Sequence, residues 1–382
     1  MSAPSSLDWD IFCHVVDNYG DIGVCWRLAR QLANEHGFYV RLWVDDLESF
    51  QALCPQIEPQ KPCMQIAGVD VRRWAANFPE VTPCHVVIEA FGCRIPESFV
   101  AAMVTRRPTP VWINLEYLSA ESWVSGCHAL SSPHPRLPLV KHFYFPGFAA
   151  NTGGLLRESD LLARRDDFEK RPELQQAFWR ELGFPPPPVE ALKVSLFAYK
   201  NPAIVELLHA WEASDRPVCC LLPVSGALHS LESFCGGPLK AGDILQRNAL
   251  EIRVIPFVEQ SRYDRLLWVC DLNFVRGEDS FVRAQWAAKP MVWHIYPQEE
   301  DAHLAKLDAF LDVYCDGLQS GPANAVRNFW YAWNAGHLKP AHWAEFAANR
   351  DDLHRHARDW EGKLAMQEDL SCSLVHFCQS KL

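Results

Sequence analysis

The sequence predicts an α/β protein made of two doubly wound domains of similar size. Three observations carry this. Short apolar, β-branched runs alternate with amphipathic helical segments, the pattern of βαβ units on a parallel sheet. The alternation starts twice, at Asp10 and again at Leu192. Between the two starts stand four prolines, Pro185–Pro188, which can continue neither a helix nor a central strand and favour a stiff spacer. A chain of 382 residues suits two domains. We therefore place an N-terminal domain at 1–184 and a C-terminal domain at 185–361. The last long helical region, from about Trp343 to the end, has no strand left to pair with, and its final helix, about 362–382, is expected to pack back on the first domain.

Taken in order, Asp10–Val16 reads as the first strand, Asp17–Gly23 as a turn-rich loop and Val24–Glu35 as an amphipathic helix stopped by Gly37. Phe38–Val44 is the next strand and Asp45–Leu53 a short helix. Val86–Ala90 and Val111–Leu115 are further buried strands, with Pro96–Thr105 helical between them. From Ser131 to Gly154 proline, glycine and aromatic residues accumulate and periodicity fades, which predicts irregular structure. Arg157–Glu181 is helical, and its RRDDFEKR run reads as a solvated face. In the second half Leu192–Ala198, Val218–Pro223 and Ile252–Phe257 are strands. Pro202–Ala213 and Glu259–Val269 are helices, followed later by helices over Asp301–Tyr314 and from Pro322 onward.

The most informative stretch is Asp271–Gln298. Asp271–Val275 is a strand, Arg276-Gly277 breaks it, and Glu278-Asp279-Ser280 offers capping oxygens to a helix over Phe281–Ala288. Met291–Tyr296 is the next strand. An arginine, a glycine and two acids thus stand at a helix N-terminus, where backbone N–H groups and the dipole favour an anion such as a diphosphate. An ordinary capped βαβ turn gives the same pattern. Ser280 could donate a hydroxyl to that diphosphate. Phe197 and Tyr199, ending the strand that opens the second half, could stack on a flat base, with core packing the competing role for Phe197. Gln260 and Tyr296 also fall at the carboxyl ends of strands.

The loop Asp17–Gly23 matches neither the glycine-rich dinucleotide motif nor a P-loop. It puts two carboxylates, Asp17 and Asp21, on one tight turn, where they can orient a cationic group and take a proton from it. Their structural alternative is that Asp17 satisfies turn N–H groups and Asp21 caps the helix. Two doubly wound domains facing across a cleft bring their strand-end loops, and so both stretches, to facing walls.

A net charge of −11 and a pI near 5.7 argue against a general nucleic-acid binder and against an anionic membrane surface. No apolar run reaches membrane-spanning length. The 14 cysteines show no disulfide or zinc framework, and Met1–Trp9 lacks the pattern of a secretory leader, so a cytoplasmic protein with reduced thiols is expected. No metal site stands out.

Two long stretches, DIFCHVVDNYGDIGVCWRLARQLA and RGEDSFVRAQWAAKPMVWHIYPQ, together with PFVEQSRYDRLLW at Pro256–Trp268, resemble the EarP family, the protein-arginine rhamnosyltransferases of elongation factor P. The resemblance runs through most of the chain. It implies a GT-B glycosyltransferase, inverting and metal-independent. The donor would be dTDP-β-L-rhamnose. The acceptor would be an arginine of elongation factor P, activated thereby for translation of polyproline stretches. The N-terminal domain would then grip the acceptor and the C-terminal domain the nucleotide sugar. Carried over by position, Asp17 and Asp21 would handle the guanidinium and Glu278 would stand near the sugar. Phe197, Tyr199, Gln260, Arg276, Asp279, Ser280 and Tyr296 would hold dTDP, with no further cofactor. Two rivals compete with this: a GT-B transferase or epimerase using another nucleotide sugar, and a non-catalytic nucleotide-sugar-binding module.

Overall fold

The computed structural model describes residues 7–382 except Asn18, Ser230 and 299–301. The expectations for the extreme N-terminus, for Asn18 and for Asp301 therefore lie outside the described residues. The chain divides into two compact units, Met1–Ser159 with Ala365–Leu382, and Asp160–Leu364.

The first unit is an eight-stranded sheet. Its strands are β1 (Asp8–Cys13), β2 (Tyr39–Val44), β3 (Cys63–Ile66), β4 (Val69–Arg73), β5 (Val86–Ala90), β6 (Val111–Leu115), β7 (Ser131–Pro133) and β8 (Val140–Tyr144), in the order β3-β4-β2-β1-β5-β6-β8-β7. The pairs are parallel except for the two edges, where β3 and β7 run antiparallel to their neighbours. The central strands are apolar on both faces because helices cover both, so they read as continuous hydrophobic runs. Asp10 is the exception inside β1. It is fully buried and accepts from Arg41 Nε and Nη2, each at 2.7 Å, from Trp43 Nε1 at 2.9 Å and from the Cys84 amide at 2.8 Å. A buried carboxylate is tolerable only with such full satisfaction.

The second unit holds a six-stranded sheet: β9 (Leu192–Leu196), β10 (Val218–Pro223), β11 (Ile244–Arg247), β12 (Leu250–Ile255), β13 (Leu272–Arg276) and β14 (Met291–His294). The order is β11-β12-β10-β9-β13-β14, all parallel apart from the β11 edge. Among the described residues no helix is long and apolar enough to cross a membrane.

Several sequence expectations change. The short edge hairpins β3–β4 and β7–β8 and the strand β11 escaped the pattern reading, because edge strands are short and half polar. Ser131–Gly154 is thus not wholly irregular. The first helix is Gly20–Asn34, starting four residues earlier than its apolar periodicity suggested.

The unit boundary lies near Ser159, not at the prolines. Arg157–Glu181 forms two helices, Leu161–Lys170 and Pro172–Glu181, split where Pro172 bars the preceding residue from helix. Both belong to the second unit. Phe168 packs on Trp268 with ring centroids 5.8 Å apart. Arg165, inside the supposed solvated run, is buried and donates to the Trp286 carbonyl at 2.9 Å. The prolines are held there too, since the Pro185 carbonyl accepts from Arg253, whose guanidinium covers Trp179 and Phe184.

The C-terminal helix, Leu370–Gln379, lies in the first unit. Its cap Asp369 accepts from Gln31 Nε2 at 3.0 Å, and Tyr144 and Ser373 share a hydroxyl hydrogen bond.

Candidate functional site

In the first unit the strand ends carry an acidic loop. Asp21 sits in the first turn of Gly20–Asn34 and is almost wholly buried. Its Oδ2 accepts from the backbone N–H groups of Val16 at 2.7 Å and Asp17 at 2.9 Å, and its Oδ1 from the Tyr117 hydroxyl at 3.2 Å. Burial pushes its pKa up; the two amides, the leading opposing effect, hold the rise in check. Asp17 is half-buried and closes a tight turn through its own carbonyl, which accepts from the Gly20 amide at 2.6 Å. The roles set out for the structural alternative are therefore distributed differently: Asp21 satisfies the turn N–H groups, and Asp17 shapes the turn.

Gly20 leaves room for the Asp17 carboxylate. A Cβ there would lie 2.8 Å from Asp17 Oδ2. The contact is with the end of a movable side chain, so alanine fits only if the carboxylate turns away.

The neighbouring strand ends add residues the sequence did not single out. Phe91, following β5, adopts a left-handed backbone with φ of 57°, and its ring stacks on Tyr117 at 4.4 Å. A bulky residue at positive φ is strained and tends to mark a site. Both follow strands that the apolar runs had located, so the position rule for α/β sheets could have found them.

In the second unit β13 ends at Arg276, Gly277 turns with φ of 58°, and the helix Asp279–Trp286 starts at once. Glu278 is the N-cap residue, but its side chain makes no capping hydrogen bond. The expected capping oxygens are used otherwise. Ser280 Oγ folds back, donating to the Arg276 carbonyl and accepting from the Arg276 amide at 3.1 Å. Asp279 Oδ2 accepts from Gln260 Nε2 at 3.1 Å, tying this turn to the helix Gln260–Val269. A bidentate pair, Arg283 to Asp264 with both contacts at 2.7 Å, locks the same two helices one turn further on.

The Arg276 guanidinium lies over the rings of Phe197 and Tyr199, 4.6 and 4.4 Å from their centroids. Tyr199 also meets Tyr296 edge-on at 5.5 Å and His294 at 5.2 Å. Phe197 is buried, as core packing requires, while Tyr296 is exposed. Trp293 Nε1 donates to the Gly277 carbonyl at 2.8 Å and the indole stacks on Phe281, so the turn is held from below. The structure thus gathers Phe197, Tyr199, Gln260, Arg276, Asp279, Ser280 and Tyr296 around one turn, with Glu278 at its tip. A helix N-terminus, a cation over two aromatic faces and a rigid base form a place for an anion carrying a flat ring. Among the described residues no group of three or more histidine, cysteine, aspartate or glutamate side chains could hold a metal.

The model of the elongation factor P (EF-P) rhamnosyltransferase EarP matches residues 9–379. The chain belongs to the EarP family. A protein-arginine rhamnosyltransferase of Pseudomonas putida is 51% identical over 375 residues, 98% of this chain and 99% of the relative. A structure solved as the basis for EarP-mediated arginine glycosylation of translation elongation factor EF-P superposes with a TM-score of 0.70. The two are 38% identical, with 99% of this chain and 100% of the other covered. The MurG structure of Acinetobacter baumannii covers 98% of this chain and 100% of its own at a TM-score of 0.51. At 12% identity it shows the fold alone. The fold is that of the GT-B glycosyltransferases, and the two sheets are its two Rossmann-like domains.

Within this EarP chain, Gly20→Ala gives a direct test of the acid loop. The helix should form as well as before, since alanine is favoured there. The displaced Asp17 carboxylate should lower turnover about 10- to 100-fold, the scale of an ångström's misplacement. A variant with unchanged melting temperature and unchanged rate shows that the aim of Asp17 does not matter.

Proposed function

We propose that this chain transfers L-rhamnose from dTDP-β-L-rhamnose to one arginine of EF-P, with inversion at the anomeric carbon. The enzyme works in the cytoplasm on this protein acceptor, and all 14 cysteines being free thiols fits a reducing compartment. The donor binds the second unit and the acceptor arginine the first. The observation that supports the donor half best is the Arg276 guanidinium resting on Phe197 and Tyr199 beside a helix N-terminus. Arg276 and the first-turn N–H groups take the diphosphate; Tyr199, Phe197 and Tyr296 offer faces and edges to the thymine. Gln260, Asp279 and Ser280 hold the turn in shape.

An arginine side chain is protonated at any working pH, so its nitrogen has no free pair to attack with. Asp17 supplies the missing base. One guanidinium N–H passes its proton to the Asp17 carboxylate as that nitrogen bonds to the anomeric carbon. The carbon–oxygen bond to the diphosphate breaks, and dTDP leaves with the electron pair. The product guanidinium keeps its positive charge. Asp21, whose oxygens already hold the Val16 and Asp17 amides and Tyr117, keeps the loop aimed and adds negative charge nearby. Glu278, at the tip of the donor turn, steadies the positive charge that develops on the sugar. Arg276 and the helix dipole meet the charge on the leaving dTDP.

Intact-mass analysis of EF-P after incubation with the enzyme and dTDP-L-rhamnose tests this directly. One deoxyhexose added per EF-P is expected, with and without EDTA, because the positive charge for the leaving group comes from the protein. No added mass, or activity only with another nucleotide sugar, overturns the reading. A strict Mg²⁺ requirement overturns its metal-free part.

The acid loop also sets a pH dependence. Burial raises the Asp21 pKa, so this carboxylate protonates at higher pH than an ordinary aspartate. Protonation removes the acceptor that the Val16 and Asp17 amides use. Activity should therefore fall, on acidification, in a limb lying above the ordinary aspartate value of about 4. The dependence of kcat/KM on pH checks this, and a limb at or below that value contradicts it.

A further inference from the structure

We propose that His294 is a further donor-binding residue, taking up a proton when a nucleoside diphosphate sugar seats against Arg276 and hydrogen-bonding the diphosphate. The assignment rests on the donor site proposed above and goes beyond it by naming a residue and a linked proton.

The geometry leads there. His294 ends β14 and is the register partner of Arg276 on the adjacent parallel strand β13. Paired residues of neighbouring strands project to the same face, so the imidazole and the guanidinium share one side of the sheet. The His294 ring meets Tyr199 edge-on at 5.2 Å and Trp333 at 5.8 Å. Tyr199 therefore carries the guanidinium on its face and the imidazole at its side. The imidazole is 5% exposed, and its Nδ1 is buried with no hydrogen-bond partner. Buried polar atoms in native proteins are nearly always satisfied, and an exception beside a candidate site calls for an explanation such as a role in that site or an ion.

The surroundings say what kind of ligand. Arg276 on β13 and His303 on the helix Ala302–Tyr314 act on His294, and both are basic. From the loop after β9 it faces Tyr199, and from the helix Ser320–Asn334 the apolar Trp333. Burial first, then Arg276 and His303, push the imidazole down to about 4, so it is neutral at working pH. A neutral imidazole beside Arg276 and His303 is recharged by an anion. A diphosphate held by Arg276 cancels the repulsion and supplies an acceptor, and a charge-assisted hydrogen bond follows. The bound-state pKa then lies above the free-state value. Binding takes up a proton between the two values, and affinity falls as pH rises through the bound-state pKa.

Titration calorimetry of dTDP-L-rhamnose, without acceptor, tests this in two buffers of different ionisation enthalpy. The esterified diphosphate has no proton of its own to exchange in this range, so the linked proton reports the protein. The wild type should take up a sizeable fraction of a proton near pH 6.5, and its Kd should rise about five- to tenfold from pH 5.5 to 7.5. His294→Asn and His294→Gln should show no uptake, a pH-independent Kd and about tenfold weaker binding at the acid end. An imidazole ¹⁵N spectrum of the wild type needs no variant and should show His294 neutral alone and protonated with donor. Binding without proton uptake, or uptake that persists in both variants, overturns the role of His294 while leaving the donor site intact. No binding of dTDP-L-rhamnose by the wild type brings down the donor site itself.

Discussion

Asp17→Asn is expected to fold as the wild type does, to bind dTDP-L-rhamnose unchanged, and to lose about 10²–10⁴-fold in rhamnosylation rate, the usual contribution of a general base. The substitution keeps the shape of the side chain and removes its ability to accept a proton. Its backbone carbonyl, which closes the turn on Gly20, is untouched, and so are the two amides held by Asp21. Donor binding should not notice, because the groups assigned to the nucleotide lie in the other compact unit. The measurement is a rate from intact mass alongside donor affinity by calorimetry. A variant within a few fold of the wild type removes Asp17 from the proton transfer and shifts that role to Asp21 or Glu278.

The second large effect is on stability. Asp264→Ala should cost about 3–5 kcal/mol, the penalty for stripping one partner from a buried ion pair. Arg283 is 1% exposed and loses both of its 2.7 Å contacts to that carboxylate. The pair joins the helix that starts with Gln260 to the one that starts with Asp279, so the loss should reach the donor turn as well. Urea unfolding followed by tryptophan fluorescence measures the first effect, and dTDP binding under native conditions the second. A change below about 1 kcal/mol shows that the helices are held by apolar packing alone. The double variant Asp264→Leu with Arg283→Met should recover much of the loss, because neither charge of the pair is then left without the other.

Much of this site was legible in the chain. Strand Asp271–Val275, the break at Arg276-Gly277 and the helix after it follow from apolar runs and a glycine, and β13 and the helix Asp279–Trp286 sit within a few residues of that reading. The acidic loop followed in the same way from a strand, a turn and a periodic helix. What could not be read was which oxygen meets which donor. Glu278 and Ser280 are good capping residues by type, yet one makes no cap and the other turns back on Arg276, because Gln260 and Trp293 arrive from elsewhere in the chain to hold the turn. Tyr117 is separated from Asp21 by 96 positions, and no local pattern links them.

The domain boundary makes the same point. Four prolines are a local signal and a stiff one, but a stiff segment can lie inside a unit as well as between two. Phe168 and Arg165 decided the matter by finding Trp268 and the Trp286 carbonyl.

The sequence by itself determined the two runs of alternating strand and helix, the family they belong to and the two loops on which the candidate site is built. These depend on periodicity and on short motifs, which act over a few residues. Only the tertiary structure decided that Asp21 anchors its loop, that Arg276 rests on two aromatic rings, and that His294 is buried against Tyr199 and Trp333. Burial, hydrogen-bond partners and pKa values depend on which distant residues come within a few ångströms, and that is fixed when the sheets assemble.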